Sequence, residues 1–380
     1  MRIGIVAPPW VPVPPPVYGG TELVVANLAR GLVALGHDVT VFTVGESTVA
    51  VRRAHLFARA VEPLGQTIPE AAHVLAAHES LRGMDLIHDH TTIGPLLVAR
   101  SKVAHPPVVT TNHGPFTPTT RRIYTEIARS VPVVAISQDQ ARRAINVPIA
   151  AVIHHGIDLD MYRPGAPTSG SLLFVGRMSP DKGPHRAILI ARKAGLPLCI
   201  VAKMRAPEEH EYFETMVRPL LGADIEIPQE LSMDARLELL AGARALVNPI
   251  MWPEPFGLVM AESLASATPV IAFPNGAAPE IVTHRRTGFL CTTVGTAAAA
   301  VGHLDEVDRS DCRRDAERRF SIERMARDHE RLYRAVFEDG PEAVARRRLA
   351  TVVPPARKQT RAPIRQLLAY GSTTCSLACA

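Results

Sequence analysis

Two carboxylates, Glu254 and Glu262, lie eight positions apart in a proline-rich stretch and could bind hydroxyl groups of a ligand. Glu254 falls in a loop after an apolar run, and Glu262 falls on a helical pattern that begins shortly before it. Free backbone N–H groups at such a helix start, here those of Gly257, Leu258 and Val259, attract a phosphate. The ligand that fits this pattern carries a sugar on one side of a phosphate and a ribose on the other. Taken alone, the pair is more simply interpreted as two solvated surface glutamates.

Two cations upstream could supply the charge that a phosphate needs. Arg177 and Lys182 bracket a glycine-flanked loop that follows the predicted strand 172–175 and precedes a helical pattern starting at Pro184. Arginine offers a forked set of donors and lysine a mobile point charge, a combination that neutralises a diphosphate. A solvated charged loop is the alternative for this segment by itself.

The first half of the chain opens as a strand, a loop with Gly19-Gly20, and a helix. This βαβ opening is Rossmann-like, and the glycine pair lets the backbone approach a ligand closely. No G-x-G-x-x-G is present, so no dinucleotide cofactor is indicated. Polar residues follow successive predicted strands, at the edge where ligands bind in an open α/β sheet. We expect His113 to serve function there, with further cleft candidates at His88, Asp89, His90 and Ser137.

Neither candidate metal motif is interpreted as a metal site. The residues of His88-Asp89-His90 alternate in direction on a strand, whereas metal ligands must converge on one point. Asp158 and Asp160 form a D-x-D, but they lie in a connector and are interpreted as turn residues. We expect no metal.

The order of elements predicts an α/β protein of two domains. At 380 residues the chain exceeds one typical domain, and a Pro/Gly/Ser-rich linker separates two repeats of the strand–helix pattern. We assign residues 1–162 to a first Rossmann-like domain and 163–338 to a second. Packing of the last helix of the second domain against the first domain is left open. Residues 339–380 are predicted to form a basic, disordered tail.

Charge and cysteine content narrow the partners and the compartment. The net charge is +5, but the segment 346–365 holds seven arginines and lysines and no acidic residue, so the body is close to neutral. We expect no nucleic acid partner. A solvated tail is favoured over weak contact with an anionic membrane surface. Five scattered cysteines, no signal peptide and no long apolar run indicate a cytoplasmic protein, with peripheral location at the inner membrane face as the alternative.

Several segments taken in order resemble the family 4 retaining glycosyltransferases of the GT-B class. They are GGTE at 19–22, the strand end at His113, VIHHGIDLDMYRP at 152–164, GRMSPDKG at 176–183, and EPFGLVMAESLASATPVIA at 254–272. The pair Glu254 and Glu262 matches the E-x7-E signature of that family. The resemblance covers residues 1–338 and implies a GT-B fold, in which two Rossmann-like domains face each other across a cleft. His154-His155 departs from the proline-asparagine pair that relatives more often carry.

The resemblance also implies roles for individual positions. Arg177 and Lys182 match the cations that hold the donor diphosphate, Glu262 the residue on the ribose hydroxyls, and Glu254 the residue on the donor sugar. His113 matches a histidine beside that sugar. Backbone contacts to the donor are implied for Gly19, Gly20, Phe256, Gly257, Leu258 and Val259. The residues implied to be catalytic are His113, Arg177, Lys182 and Glu254.

The function implied is transfer of a hexosyl group, with retention, from a UDP-glucose or GDP-mannose type of donor to an acceptor hydroxyl. No cofactor and no metal are expected, because side-chain cations and a helix dipole would stabilise the leaving diphosphate. The acceptor, whether a small molecule, a glycan or a lipid-linked sugar, is not indicated. A nucleotide-sugar binding protein without activity and a sugar epimerase of the same fold remain the alternatives.

Overall fold

The first half of the chain forms a seven-stranded parallel sheet in the order β3-β2-β1-β4-β5-β6-β7. The chain was analysed as a computed structural model, which describes residues 1–16, 19–168, 170–228 and 231–346. The strands are β1 Arg2–Val6, β2 Asp38–Thr43, β3 Arg52–His55, β4 Leu86–Asp89, β5 Val108–Thr111, β6 Val133–Ala135 and β7 Ala151–Val152. The helices are α1 Gly20–Ala34, α2 Thr67–Ser80, α3 Ile93–Arg100, α4 Pro118–Ile127 and α5 Gln138–Arg143. The central strands β1, β4 and β5 are almost entirely buried, as expected for a sheet covered by helices on both faces, although β4 and β5 end in polar residues.

The second half repeats this architecture with six parallel strands in the order β10-β9-β8-β11-β12-β13. The strands are β8 Leu172–Arg177, β9 Leu198–Lys203, β10 Ile225–Glu226, β11 Ala245–Asn248, β12 Val270–Ala272 and β13 Gly288–Leu290. The helices are α6 Pro184–Ala194, α7 Pro207–Tyr212, α8 Met233–Gly242, α9 Leu258–Ala265, α10 Ala278–Ile281, α11 Val294–Val301, α12 Arg309–Phe320, α13 Ile322–Asp339 and α14 Pro341–Arg346. A π-helical turn, Phe213–Val217, and 3₁₀ turns at Arg218–Leu220 and Leu304–Glu306 complete the described elements.

Both sheets carry a strand-order reversal next to their first strand, between β1 and β4 and between β8 and β11. Ligands of open α/β sheets bind beyond the carboxyl ends of the strands at such a reversal. The loops after β1, β4 and β5 in one sheet and after β8 and β11 in the other are therefore the ones that should line a site. The predicted α/β fold of two Rossmann-like domains is confirmed.

The last long helix of the chain leaves the second sheet and packs on the first. Met325, Leu332 and Tyr333 of α13 belong to the same buried cluster as Leu28 and Leu32 of α1. This close packing depends on a glycine. A Cβ added at Gly31 would lie 2.7 Å from both Ala326 Cβ and Ile322 Cγ2, so any larger residue there would push the two helices apart.

The C-terminal region is ordered for longer than predicted. A disordered tail was predicted from residue 339, but Pro341–Arg346 forms a short helix in which Val344 and Ala345 are buried. Val344 joins the apolar cluster of the first sheet, which accounts for the order of this turn despite its weak periodicity. The remainder of the predicted tail, residues 347–380, lies outside the described residues, and so does any membrane contact through it. None of the described helices combines the length and the apolar character that crossing a bilayer requires.

Candidate active site in the cleft between the two sheets

Gly257 begins the helix that the sequence marked as a phosphate site. Its backbone is left-handed, with φ 92° and ψ 67°, and a Cβ there would lie 2.5 Å from Met260 Cε. Glycine is the residue that adopts this conformation without strain. The turn leaves the first N–H groups of α9, among them those of Leu258 and Val259, without intrahelical partners. The helix start therefore presents backbone donors and a positive dipole end to the cleft.

Lys182 and Glu254 form an ion pair beside that helix start. Both side chains are largely buried, and Lys182 Nζ also lies 5.5 Å from the ring centre of Trp252. The two loops are tied together by Met251 N, which donates to Asp181 O at 3.0 Å. Behind Glu254, Ala277 N donates to the Glu254 carbonyl at 2.9 Å. The loop after β8 and the loop after β11 thus meet at one point, where the two side chains are each other's partner.

Arg177 lies at the end of β8, but its partners are different from those of Lys182. Its guanidinium contacts Asp181 Oδ2 at 3.2 Å and Glu209 Oε1 at 3.5 Å, and about half of the side chain, 53%, is exposed. Glu209 is itself held by the backbone N–H of Arg205 at 2.8 Å. The structure therefore puts Arg177 at the mouth of the site with two acidic neighbours, and without a direct contact to Glu254.

Glu262 is buried one turn inside α9. Its carboxyl hydrogen-bonds to the hydroxyl of Tyr162 and lies near the guanidinium of Arg236. Burial raises the pKa of Glu262, against the opposing effects of Arg236 and Tyr162. Tyr162 ends the connector between the two sheets, and no sequence signal linked it to the E-x7-E pair. Glu254 and Glu262 thus differ in environment, since one is paired with a cation at the surface of the cleft and the other is enclosed.

The Gly19-Gly20 turn faces this helix from the other sheet. A Cβ built on Gly20 would lie 3.5 Å from Leu258 Cδ1, and one on Gly19 would lie 2.7 Å from Glu22 Oε2. Glu22 is buried in the first turn of α1, and burial raises the pKa of its carboxyl to about 7. Gly20 therefore lies against the Leu258 side chain across the cleft. The adjacent carboxyl of Glu22 is a group with a raised pKa that the sequence reasoning missed.

His113 lies at the end of β5, within a row of aromatic rings that crosses the cleft. Its Nε2 lies 2.8 Å from His90 Nδ1. Its ring stacks on His155 at 5.2 Å, and His155 meets Phe256 edge-on at 5.0 Å. Burial, reinforced by His329, lowers the pKa of His113 to about 3. His113 is thus a neutral imidazole joined through His155 to Phe256, in the loop before α9.

The residues of His88-Asp89-His90 have separate partners, in line with their alternation along the strand. His88 contacts the Tyr333 hydroxyl at 2.6 Å and Thr111 Oγ1 at 2.8 Å. Asp89 is fully buried and contacts His78 Nε2 at 2.9 Å and Thr91 Oγ1 at 2.7 Å. Asp158 Oδ1 accepts from Asp160 N at 3.2 Å, and Asp158 pairs with Arg30. Among the described residues, no group of three or more His, Cys, Asp or Glu side chains is arranged to hold a metal ion.

Glu280 joins the two sheets on the far side of the histidine row. Its carboxylate accepts from Gln138 N at 2.8 Å and from Asp139 N at 2.7 Å, at the start of α5. His154 Nε2 lies 3.0 Å from the same carboxylate. The His154-His155 pair therefore contributes one ring to this clamp and one ring to the His113 stack. The sequence contained Glu280, but its partners lie 126 to 142 residues away, and no local pattern reveals them.

Two sequence families match consecutive parts of the chain. Glycosyltransferase Family 4 matches residues 18–161, and Glycosyl transferases group 1 matches residues 165–323. The boundary between the two matches falls at the connector. Strands β2 to β7 of the first sheet lie in the first match, and all six strands of the second sheet lie in the second.

Known proteins with similar sequences and structures carry related names. D-inositol 3-phosphate glycosyltransferase of Mycobacteroides abscessus is 28% identical over 195 residues, which are 45% of this chain and 44% of that protein. The protein of that name from Mycobacterium bovis is 30% identical over 201 residues, which are 45% of this chain and 40% of that protein. The match thus spans less than half the length of these curated relatives. AviGT4, a glycosyltransferase involved in avilamycin A biosynthesis, is 26% identical with a TM-score of 0.67 over 88% of this chain and 98% of its own. The fold is also that of HepE from Anabaena, at 20% identity and a TM-score of 0.69 over 88% of this chain and 100% of that one. With its two sheets, its E-x7-E helix and both family matches, the chain belongs to the family 4 glycosyltransferases of the GT-B fold class.

Proposed function

We propose that this protein transfers a hexosyl group from a nucleoside diphosphate sugar to an acceptor hydroxyl, with retention of configuration. The observation that carries the proposal is the meeting of Lys182 and Glu254 beside the free N-terminus of α9, opposite the Gly19-Gly20 turn. A cation and the free N-terminus of a helix together suit a diphosphate. The flanking carboxylate suits the hydroxyls of a sugar.

The names of similar proteins support this class of donor. HepE has been solved in complex with UDP-glucose, and with UDP and glucose. A sucrose-phosphate synthase from Thermosynechococcus elongatus has the same fold, with a TM-score of 0.74 at 20% identity. A UDP-hexose is therefore the first donor to test, and GDP-mannose the second.

Each side chain of the site would exchange its resting partner for a group of the donor. Arg177 and Lys182 would turn from their acidic neighbours to the diphosphate, and Glu254, released from Lys182, would accept from sugar hydroxyls. Glu262 would accept from the ribose in place of the Tyr162 hydroxyl. His113 would lie beside the sugar, and the N–H groups of Gly257, Leu258 and Val259 would bind phosphate. Phe256 contributes by packing against His155.

The proposed reaction proceeds on one face of the sugar. The bond from the anomeric carbon to the diphosphate oxygen breaks, the acceptor oxygen bonds to the same carbon, and the acceptor proton passes to the leaving phosphate. A double displacement would need a free carboxylate beneath the anomeric carbon. The surroundings of Asp89, which is fully buried and bonded to His78 and Thr91, disfavour it for that role.

A two-part experiment tests the proposed function. The purified protein is first screened against UDP-glucose, UDP-galactose, GDP-mannose and their free nucleotides for a rise in melting temperature, since a bound ligand stabilises the folded state. The stabilising donor is then incubated with candidate acceptors, and the anomeric configuration of the product is read by NMR. Binding of no donor, or a product of inverted configuration, would contradict the proposal.

The same experiment separates the two alternatives. A binding protein without activity would be stabilised by a donor and would form no product with any acceptor. An epimerase would convert the donor without an acceptor. Transfer is favoured because the first sheet contributes Gly20 and the His113 row to the cleft, which a binding protein for the donor alone would not require.

A further inference from the structure

The contact between His90 and His113 determines what kind of hydrogen bond His113 offers to a ligand. His90 follows β4 and is buried, whereas His113 is partly exposed. Their nitrogens His90 Nδ1 and His113 Nε2 are 2.8 Å apart, so one donates to the other. The remaining nitrogen of His90, Nε2, is buried without a partner among the described residues. The remaining nitrogen of His113, Nδ1, is not both buried and unpaired.

Two arrangements of protons are possible for this neutral pair. If His113 donates, the proton of His90 must lie on its Nε2, which is then a buried N–H without an acceptor. If His90 donates, its Nε2 is a bare nitrogen, and the proton of His113 lies on Nδ1. Buried N–H groups without partners are rarer in proteins than acceptors without partners. The second arrangement is therefore favoured, and it gives His113 an N–H on the side away from His90.

Neighbouring side chains hold His90 in this orientation. The ring of His88 lies 4.1 Å from that of His90, between centroids. His88 is fixed in turn by Tyr333 of α13, at 2.6 Å, and by Thr111 Oγ1, at 2.8 Å. His88 is also fully buried, so the stack has little freedom to rotate. The long C-terminal helix thus supports the histidine row of the first sheet through Tyr333.

We propose that His90 is a positioning residue, which donates from Nδ1 to His113 and thereby fixes His113 as an Nδ1–H hydrogen-bond donor toward the transferred sugar. This inference rests on the proposed function. It adds that His113, on the side of the first sheet, donates a hydrogen bond to the ligand and does not accept one. A hydroxyl oxygen of the sugar, or the oxygen that leaves with the diphosphate, is the group that such a donor would bind.

Two substitutions and one spectrum test the inference on the full chain. His90→Asn keeps an amide able to bond His113 Nε2, and His90→Leu has a similar size and keeps none. We expect His90→Leu to lower kcat about 10- to 100-fold, the range known for loss of the hydrogen-bond partner that orients a metal-bound histidine, with the KM for the donor nearly unchanged. We expect His90→Asn to recover most of kcat. In the wild type, ¹⁵N NMR should report the proton of His113 on Nδ1, assigned through the signals lost in His113→Gln.

The matched control is His73→Leu. His73 is also buried, with one ring nitrogen 2.9 Å from Ala7 O and the other unpaired among the described residues. His73→Leu should lower the melting temperature, because losing a buried hydrogen bond costs stability. It should leave kcat within about twofold of the wild-type value. Equal kcat values for His90→Leu and His90→Asn, or a His113 proton on Nε2, would overturn the inference. Absence of any transfer by the wild type would instead contradict the proposed function, and the NMR result would remain readable in the resting protein.

Discussion

The two walls of the cleft differ in charge. The wall formed by the first sheet carries neutral histidines, and the wall formed by the second sheet carries an ion pair. On the first sheet, His88, His90 and His113 are neutral because burial lowers the pKa of each. On the second sheet, Lys182 and Glu254 form an ion pair whose side chains are largely buried. A charge persists in the cleft where an opposite charge is in contact with it, and the enclosed imidazoles without such a partner are neutral.

This difference divides the tasks in the proposed reaction. The charged wall is suited to the diphosphate, on which negative charge develops as the bond breaks. The neutral wall is suited to the sugar, whose hydroxyls need oriented donors and acceptors without net charge. Removing a group from the charged wall should therefore slow the reaction most. Changes to the neutral wall should slow it less, and they should also alter the pH dependence of stability.

The largest effect is expected for Lys182→Ala. It removes a cation from the leaving group and leaves the Glu254 carboxylate without its partner. We expect kcat/KM for the donor to fall about 10³-fold, as it does when one preorganised electrostatic contact to a transition state is lost. Steady-state transfer assays measure it. Lys193→Ala on the exposed last turn of α6 is the matched control, with rates within about twofold. A loss below about tenfold for Lys182→Ala would contradict its assignment to the diphosphate.

A smaller effect is expected on stability for Glu22→Gln, which tests whether the first wall keeps even its carboxyl neutral. Burial raises the pKa of Glu22 to about 7, above the ordinary value of the unfolded chain. The folded state then binds the extra proton, so this contribution is fully present below about pH 4.5 and is lost as pH rises through about 7. The wild type should lose this contribution to its free energy of unfolding between pH 5 and pH 8, and Glu22→Gln should not. Relative to the wild type, the free energy of unfolding of Glu22→Gln should therefore rise by on the order of 3 kcal/mol over this range.

Urea unfolding at both pH values measures this gain. Thr21→Ser is a matched control at the adjacent, more accessible position of the same helix turn, and its pH dependence should equal that of the wild type. Parallel stability curves for Glu22→Gln and wild type would show that Glu22 is ionised in the folded protein, and the first wall would then carry a charge.

The histidines of the first wall give the opposite pH dependence. His329 of α13 is buried beside His88, and burial lowers its pKa to about 4. Between about pH 4 and 6.5 the unfolded state binds a proton that the folded state does not, so stability falls as pH falls through this window. From pH 7.5 to pH 5, the loss for this one side chain should be about 2 kcal/mol. His329→Asn should lose less stability than the wild type by about that amount in urea titrations. An equal loss would refute the assignment of a neutral buried imidazole.

Local sequence patterns pointed to more residues of the charged wall than of the neutral wall, for a physical reason. Arg177 ends β8, and Lys182 and Glu254 lie in the loops that follow β8 and β11. Glu262 lies near the start of α9. The types and spacing of these residues are local signals. The partners of His113 come from β4 and the connector, and those of Glu280 from the other sheet. Such contacts form only when strands distant in sequence become neighbours, and no periodicity encodes them. The prediction of disorder from residue 339 was wrong over 341–346 for the same reason, because Val344 is buried by contacts with the first sheet.

The smallest effect is expected from removing metal ions. If the cations of the second wall and the dipole of α9 stabilise the leaving diphosphate, a divalent ion would add little to the transition state. Transfer rates in excess EDTA should stay within about twofold of those with added Mg²⁺ or Mn²⁺, a difference below about 0.5 kcal/mol in barrier. Lys182→Ala sharpens the comparison when assayed under the same two conditions. If Mg²⁺ restored its rate while leaving the wild type unchanged, an ion would be replacing the side chain. A strong dependence of the wild type on metal would instead mean that the charged wall does not stabilise the diphosphate by itself.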